Sequence, residues 1–366
     1  MKKLGFGCMR LPLIDGKVDL EQFSEMIKIY FENGFNYFDT AHGYIDGQSE
    51  TAIRECLTSK YPRDSYILTN KLSSFYIHKE EDVRVVFEEQ LKACGVDYFD
   101  YYLMHAQNAE LFKLYKECHA YEVSLKLKEE GKIKHFGISF HDKAAVLEEI
   151  LTEYPQIEVV QIQFNYLDYD SQNIESRKCY EVCRKFNKDV IIMEPVKGGA
   201  LVDLPFNAQK IFDELNGGSN ASYAIRFTAS FEGVIMVLSG MSNIEQMKDN
   251  VAYMKDFVPF SKKEFETVKK VADIIKYSNV IPCTACRYCV DGCPKKILIP
   301  DLFACMNQKR NQLDDWNSRN NYRTYTQNNG MASNCIKCGK CETICPQHLK
   351  IRKLLEEVSN VFDKRK

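Results

Sequence analysis

The chain has 366 residues, of which 45% are hydrophobic and 27% charged, with a formal net charge of −2. That is long for a single average domain of roughly 150 residues, and the composition excludes a disordered chain. No apolar run approaches the roughly 20 residues that span a bilayer, and the opening MKKLGFGCMRLPLIDG holds no segment of signal-peptide length, so a cytoplasmic chain with no membrane partner is expected.

In chain order, the first predicted helix starts at Asp19, an N-cap with Gln22 at the capping-box position. Phe23, Met26, Ile27, Tyr30 and Phe31 then recur on one face before Gly34 ends it. Val83, Val86, Phe87, Leu91 and Cys94 repeat the pattern, closed by Gly95. Between such helices lie eight short apolar runs: Leu4–Gly7, Asn36–Asp39, Tyr66–Thr69, Tyr101–His105, Phe136–Ser139, Val159–Gln163, Val190–Met193 and Gly233–Leu238. Most are continuous rather than alternating, as strands buried on both faces should be. Eight strands separated by helices predict an α/β fold, a (β/α)8 TIM barrel over residues 1–258. No GxGxxG follows a strand, which disfavours a doubly wound dinucleotide fold.

A Lys/Glu-rich helix is expected to connect the barrel, across residues 259–280, to a second domain at 281–366. Residues 307–334 are rich in Asn, Gln, Arg and Ser and read as a polar connection, and a last helix is expected from about Leu349 to Phe362. Charge divides in the same way: residues 283–366 carry a formal +7 and residues 1–282 a formal −9. The basic segment has no dense Lys/Arg run and is interleaved with cysteines, which argues against a nucleic-acid partner.

Nine of the 15 cysteines fall between Cys283 and Cys345. In a long chain without a secretion signal, clustered cysteines point to metal rather than disulfides. Cys283-x2-Cys286-x2-Cys289-x3-Cys293-Pro294 recurs as Cys335-x2-Cys338-x2-Cys341-x3-Cys345-Pro346. Three closely spaced thiolates wrap one 4Fe-4S cubane and the fourth reaches the other cluster, so Cys283, Cys286, Cys289 and Cys345 form one ligand set, and Cys335, Cys338, Cys341 and Cys293 the other. Paired four-cysteine zinc sites are the alternative, but they usually show CxxC pairs. The segment resembles a two-cluster ferredoxin domain, and its helical flanks look more like the α-helical ferredoxin domains of respiratory iron–sulfur subunits. A small, mainly helical iron–sulfur domain is therefore expected. Cys305 and the six cysteines outside the cluster region read as core thiols.

In the barrel, Asp39, Tyr44, Lys71 and His105 each stand at or just past the C-terminal end of a predicted strand, where barrel enzymes place their chemistry. A phenol becomes a usable acid or base near neutrality when a cation such as Lys71 stabilises its phenolate, Asp39 can hold that lysine charged, and a neutral His105 can donate to a carbonyl oxygen. The set suits reversible reduction of a small carbonyl, or oxidation of an alcohol. These residues, with the opening LGFG and the DTA-x-x-Y signature, resemble the catalytic tetrad of the aldo-keto reductases. The resemblance implies a nicotinamide bound across the barrel mouth, with Tyr44 as general acid. It also implies carboxamide contacts from Ser139 and Gln161, a stacking position at Met193, where the family usually has an aromatic, and an adenosine-end segment from Ser239 to Asn250 that includes Gly240, Asp249 and Asn250. Gly240 and Gln246 stand where basic residues normally grip a 2′-phosphate, so NAD(H) is expected over NADP(H).

A nicotinamide moves two electrons as hydride and an iron–sulfur cluster moves one. Three arrangements remain open at this stage. In one, the clusters wire an NAD-dependent reductase to ferredoxin or another carrier through a flavin. In another, the barrel binds flavin or substrate and receives single electrons. In the third, the clusters are a structural or redox-sensing cap.

Overall fold

The computed structural model describes residues 2–215, 217–277, 280–310 and 315–363. It divides into two compact units: residues 1–195 with 217–266, and residues 196–216 with 267–366.

In the first unit, β1 (Leu4–Gly7) leads into a small antiparallel hairpin of β2 (Leu13–Ile14) and β3 (Lys17–Val18). The other strands are β4 (Tyr37–Asp39), β5 (Ile67–Leu72), β6 (Phe99–Gln107), β7 (Ile133–Phe140), β8 (Val159–Gln163), β9 (Asp189–Met193) and β10 (Val234–Ser239). Among the described residues, β1 and β4 through β10 close into an eight-stranded parallel barrel in chain order, as the apolar runs predicted. The hairpin was not expected; its strands are two residues long and mostly exposed, so they carry no burial signal.

The helices form for the reasons their sequences suggest. Asp19 caps helix Leu20–Glu32, its carboxylate accepting from the Gln22 amide at 3.0 Å, and Phe23, Met26, Ile27 and Tyr30 are buried on its inner face. Helix Glu80–Cys94 ends on Gly95 at φ 67°, a left-handed cap that glycine adopts without strain. Cys94 is fully buried on that helix.

Register sets the site. Asp39 at the end of β4 pairs with Thr69, Lys71 on β5 pairs with Leu103, and Ser139 on β7 pairs with Gln161 on β8. Parallel strands in one barrel end together, so these side chains share the C-terminal rim.

The second unit is helical: Ile299–Arg310, Asp315–Thr326 and Ile351–Phe362 are its longer helices, and Lys262–Tyr277 runs from the first unit into it. Its core holds Ile297, Ile299, Leu302, Phe303, Met306, Ile351 and Leu355, with Cys305 among them. The segment 307–334, expected as an irregular connection, contains helix Asp315–Thr326. Its polar composition hid a tertiary anchor: Tyr322 stacks on Phe362 with ring centroids 4.7 Å apart and donates to Asp363 at 2.6 Å. Residues 196–216, inside the barrel stretch of the linear sequence, fold with this unit.

Candidate functional site

Lys71 is fully buried. Its ammonium donates to Asp39 Oδ1 at 2.6 Å, to the Thr40 carbonyl at 2.7 Å and to Tyr44 Oη at 3.2 Å. The second Asp39 oxygen accepts from Gln161 Nε2 at 3.1 Å. The Tyr44 and His105 rings meet edge to face, 5.9 Å between centroids. The four residues picked from the sequence therefore converge, and Gln161 joins them as a partner of Asp39.

The electrostatics of this group follow from burial. Burial raises the Asp39 carboxyl above its ordinary range, while Lys71 and Gln161 pull it back. Burial and then the Asp39 charge hold the Tyr44 phenol well above its ordinary value, and Arg10 opposes them. The sequence suggested a tyrosine tuned downward by Lys71. In the structure Lys71 sits against Asp39 at 2.6 Å, and desolvation dominates at Tyr44, whose phenol is raised rather than lowered. Burial, then Lys71 and His141, hold His105 well below its ordinary value, so its ring is neutral. His105 Nδ1 lies 2.7 Å from Ser73 Oγ, an arrangement that ties the ring orientation to the loop following β5.

Three neighbours of this site were not picked from the sequence. Ser73 is the first. Arg10, just past β1, reaches Glu194 at 3.8 Å, and a Cβ on Gly240 would lie 3.7 Å from Arg10 Nη1. Glu194, directly after β9, holds a left-handed backbone at φ 58°, uncommon for a side-chain-bearing residue and a feature that clusters at functional sites. Each depends on a contact distant in sequence, so no local pattern could have flagged it.

The positions expected to hold a nicotinamide are mostly committed to ordered contacts. Asn250 Oδ1 accepts from Ser239 Oγ, and Asp249 Oδ2 from Ser219 Oγ, both at 2.7 Å. Gln246 Oε1 accepts from the Ser242 amide. Met193 closes β9. Ser139 differs: its hydroxyl is buried with no hydrogen-bond partner, the kind of orphan that a bound polar group would satisfy.

In the second unit the eight motif cysteines sort into two cradles. One cavity is lined by Cys283, Cys286, Cys289 and Cys345. Another is lined by Cys293, Cys335, Cys338 and Cys341. Each cavity is lined by three cysteines of one motif and the fourth cysteine of the other. Both motifs turn through left-handed residues at matching positions: Ala285 and Lys337, Arg287 and Gly339, Lys296 and His348. Backbone amides of Ala285 and Ile297 point at the sulfurs of Cys283 and Cys293, each at 3.5 Å, as amides do around cluster thiolates. Burial, then Glu342 and Cys335, raises the Cys341 thiol to about 11; cationic iron reverses that logic by binding the thiolate. The other seven cysteines are buried.

A strand-end acid–base group in one unit and paired four-cysteine cradles in the other define an oxidoreductase barrel carrying an iron–sulfur module. The chain belongs to the aldo/keto reductase family, whose sequence pattern matches residues 3–273, and a 4Fe-4S dicluster domain matches residues 282–350. It is 24% identical over 299 residues to the NADH-specific methylglyoxal reductase of Escherichia coli (strain K12), covering 69% of this chain and 89% of that one. It is 24% identical over 292 residues to L-galactose dehydrogenase of Arabidopsis thaliana, covering 75% and 90%. Its fold is similar to that of an aldo-keto reductase from Klebsiella pneumoniae solved with NADPH, with a TM-score of 0.61, 19% identity, and 74% and 90% of the two chains covered.

Proposed function

We propose that the barrel catalyses reversible reduction of a small carbonyl compound, with Tyr44 as proton donor and NADH as the nicotinamide. The observation that carries this reading is the Lys71 ammonium, held by Asp39 at 2.6 Å and in contact with Tyr44 Oη at 3.2 Å. When bound, the nicotinamide supplies hydride. Tyr44, kept neutral by burial, gives its proton to the carbonyl oxygen, and Lys71 stabilises the phenolate left behind. Asp39 holds Lys71 in place. His105, neutral and hydrogen-bonded through Nδ1 to Ser73, presents Nε2 to the carbonyl oxygen as negative charge develops there. Ser139, with its unpartnered buried hydroxyl, suits a carboxamide contact, and Asp249 and Asn250 stand on the helix expected at the adenosine end.

NADH is favoured over NADPH by Gly240 and by Gln246, whose side chain is turned onto the Ser242 amide. The NADH specificity of the Escherichia coli relative points the same way, whereas the Klebsiella structure contains NADPH. The eight cradle cysteines hold two 4Fe-4S clusters with crossed ligation, a one-electron module that ferredoxin or another carrier could serve. A second reading, with flavin in the barrel, draws on Met193, which offers no ring to stack on a nicotinamide.

Anaerobically purified protein titrated with NADH, NADPH and FMN, using methylglyoxal as a probe aldehyde, separates these readings. Expected are about eight irons per chain, since two cubanes hold four each, and aldehyde-dependent NADH oxidation faster than NADPH oxidation. Stoichiometric flavin without NADH turnover overturns the first reading in favour of the second. Undiminished turnover in Cys338→Ala makes the clusters a structural cap.

A further inference from the structure

We propose that the cradle of Cys293, Cys335, Cys338 and Cys341 is the port through which single electrons enter or leave the chain, and that the surface over it docks a small, acidic, one-electron carrier protein. The proposal rests on the reading that both cradles hold redox-active 4Fe-4S clusters; it adds which of the two meets a partner and the chemistry of that partner. The cradles differ in how they face solvent. Around the one built on Cys283, Cys286, Cys289 and Cys345, Phe303 and Ile351 are buried, and of its lining residues Arg287 alone is exposed, tied to Asp301 at 3.0 Å. The other cradle is walled by exposed residues: Lys295, Ile336, Cys338, Lys340 and Arg352. Cys338 is exposed, whereas the other seven motif cysteines are buried or half-buried. A cluster ligand at the surface shortens the path to an external cofactor.

The charge of this rim selects the partner. Arg352 is paired with Glu342 at 2.7 Å, but Lys295 and Lys340 have no ion-pair partner among the described residues, and Lys296 beside them is exposed as well. These lysines are not a requirement of holding a cluster, because the enclosed cradle, with the same number of thiols, is lined by no lysine. Unpaired surface cations attract a partner of opposite sign and speed its approach more than they tighten its grip. Ile336, 56% exposed on the same cavity, supplies an apolar contact within the basic rim, the pattern of an interface with a dry centre and a charged edge. Redox encounters use small interfaces, below about 1,200 Å², so a patch of this size is sufficient. Each encounter passes one electron from the reduced carrier, which is oxidised, to the oxidised cluster, which is reduced, or the reverse; no bond forms or breaks and no proton moves.

The probe is a fully reduced, acidic flavodoxin, mixed anaerobically in a stopped flow with the oxidised full chain. The one-electron-oxidised flavin is read at wavelengths clear of iron–sulfur absorption, and iron and sulfide are measured in each sample. The second-order rate constant should fall with salt. Lys295→Glu combined with Lys340→Glu should lower it about tenfold or more at low ionic strength and match the unaltered chain near 1 M salt, where the screening length is about 3 Å. Lys269→Glu combined with Lys270→Glu, the same change of net charge on exposed residues of helix Lys262–Tyr277, should leave it nearly unchanged. If the double reversal loses iron, Lys295→Gln with Lys340→Gln decides the matter through a smaller loss with the same salt dependence. Equal losses in the two lysine pairs, a larger loss in Arg287→Gln, or saturable binding to phosphatidylglycerol vesicles with no reaction with flavodoxin would overturn the proposal. Reduced methyl viologen, a small cation that needs no docking surface, separates the two levels. Its rate should stay or rise in the lysine variants. Clusters that it reduces in a chain showing no lysine-dependent reaction with flavodoxin refute the port; clusters that neither donor reduces refute the electron-transfer reading beneath it.

Discussion

The two units build a reactive centre by opposite means. In the barrel the centre is assembled from side chains whose partners are all protein groups: Lys71 with Asp39, Asp39 with Gln161, His105 with Ser73. Around it runs a buried polar chain in which Glu50 accepts from Asn70 at 2.7 Å and Tyr102 donates to Gln90 at 2.6 Å. Beneath lies a dense aromatic core, with Phe6, Tyr30 and Phe38 in mutual contact. The second unit has a smaller core and directs eight thiols at two cavities. The difference bears on where stability comes from: the barrel's site sits on a fold with a large packed core, whereas the second unit, with its smaller core and eight thiols lining cavities, is expected to depend more on the group its cysteines bind.

The comparison breaks most easily at the metal. Chelating the iron under mild oxidation should unfold residues 283–363 while β4 to β8 keep their amide protection, read by hydrogen exchange with mass spectrometry. Structural metal sites contribute on the order of 10 kcal/mol to folding, so a second unit equally protected without iron would erase the contrast. In the barrel the corresponding break is Lys71→Met, which leaves a buried carboxylate without its cation. A loss of about 3–5 kcal/mol is expected, measured by denaturant unfolding. The double variant with Asp39→Asn should cost less than the sum of the two single changes.

A smaller effect sharpens the electrostatics. The proposed mechanism needs protonated Tyr44, the form present below its pKa and lost as pH rises through it. Because the Asp39 charge helps to hold that pKa up, Asp39→Asn should move the alkaline limb of the reduction rate to lower pH. An unmoved limb would mean that Tyr44 is not the titrating donor. The smallest effect lies at the barrel's edge, where Asp19→Ala removes the cap of helix Leu20–Glu32 and should cost about 1 kcal/mol with turnover unchanged.

How much of this was legible in the sequence depended on whether the cause was local. The barrel strands were readable because burial on both faces leaves continuous apolar runs, and the Asp19 cap because its partner is three residues away. The cradles were readable because the x2 and x3 spacings repeat. Helix Asp315–Thr326 was hidden because Tyr322 finds its support at Phe362 and Asp363. Arg10, Ser73 and Glu194 were hidden because strand register, not spacing, brings them to the rim. The place of residues 196–216 in the second unit was hidden because the linear order assigns them to the barrel.

The most direct test of the barrel chemistry is the turnover of Tyr44→Phe with NADH and a small aldehyde, in protein shown to retain its iron. Removing a general acid of this kind should slow carbonyl reduction roughly 10²–10⁴-fold while nicotinamide binding persists. Turnover equal to that of the unaltered chain would contradict the assignment of Tyr44 as the proton donor.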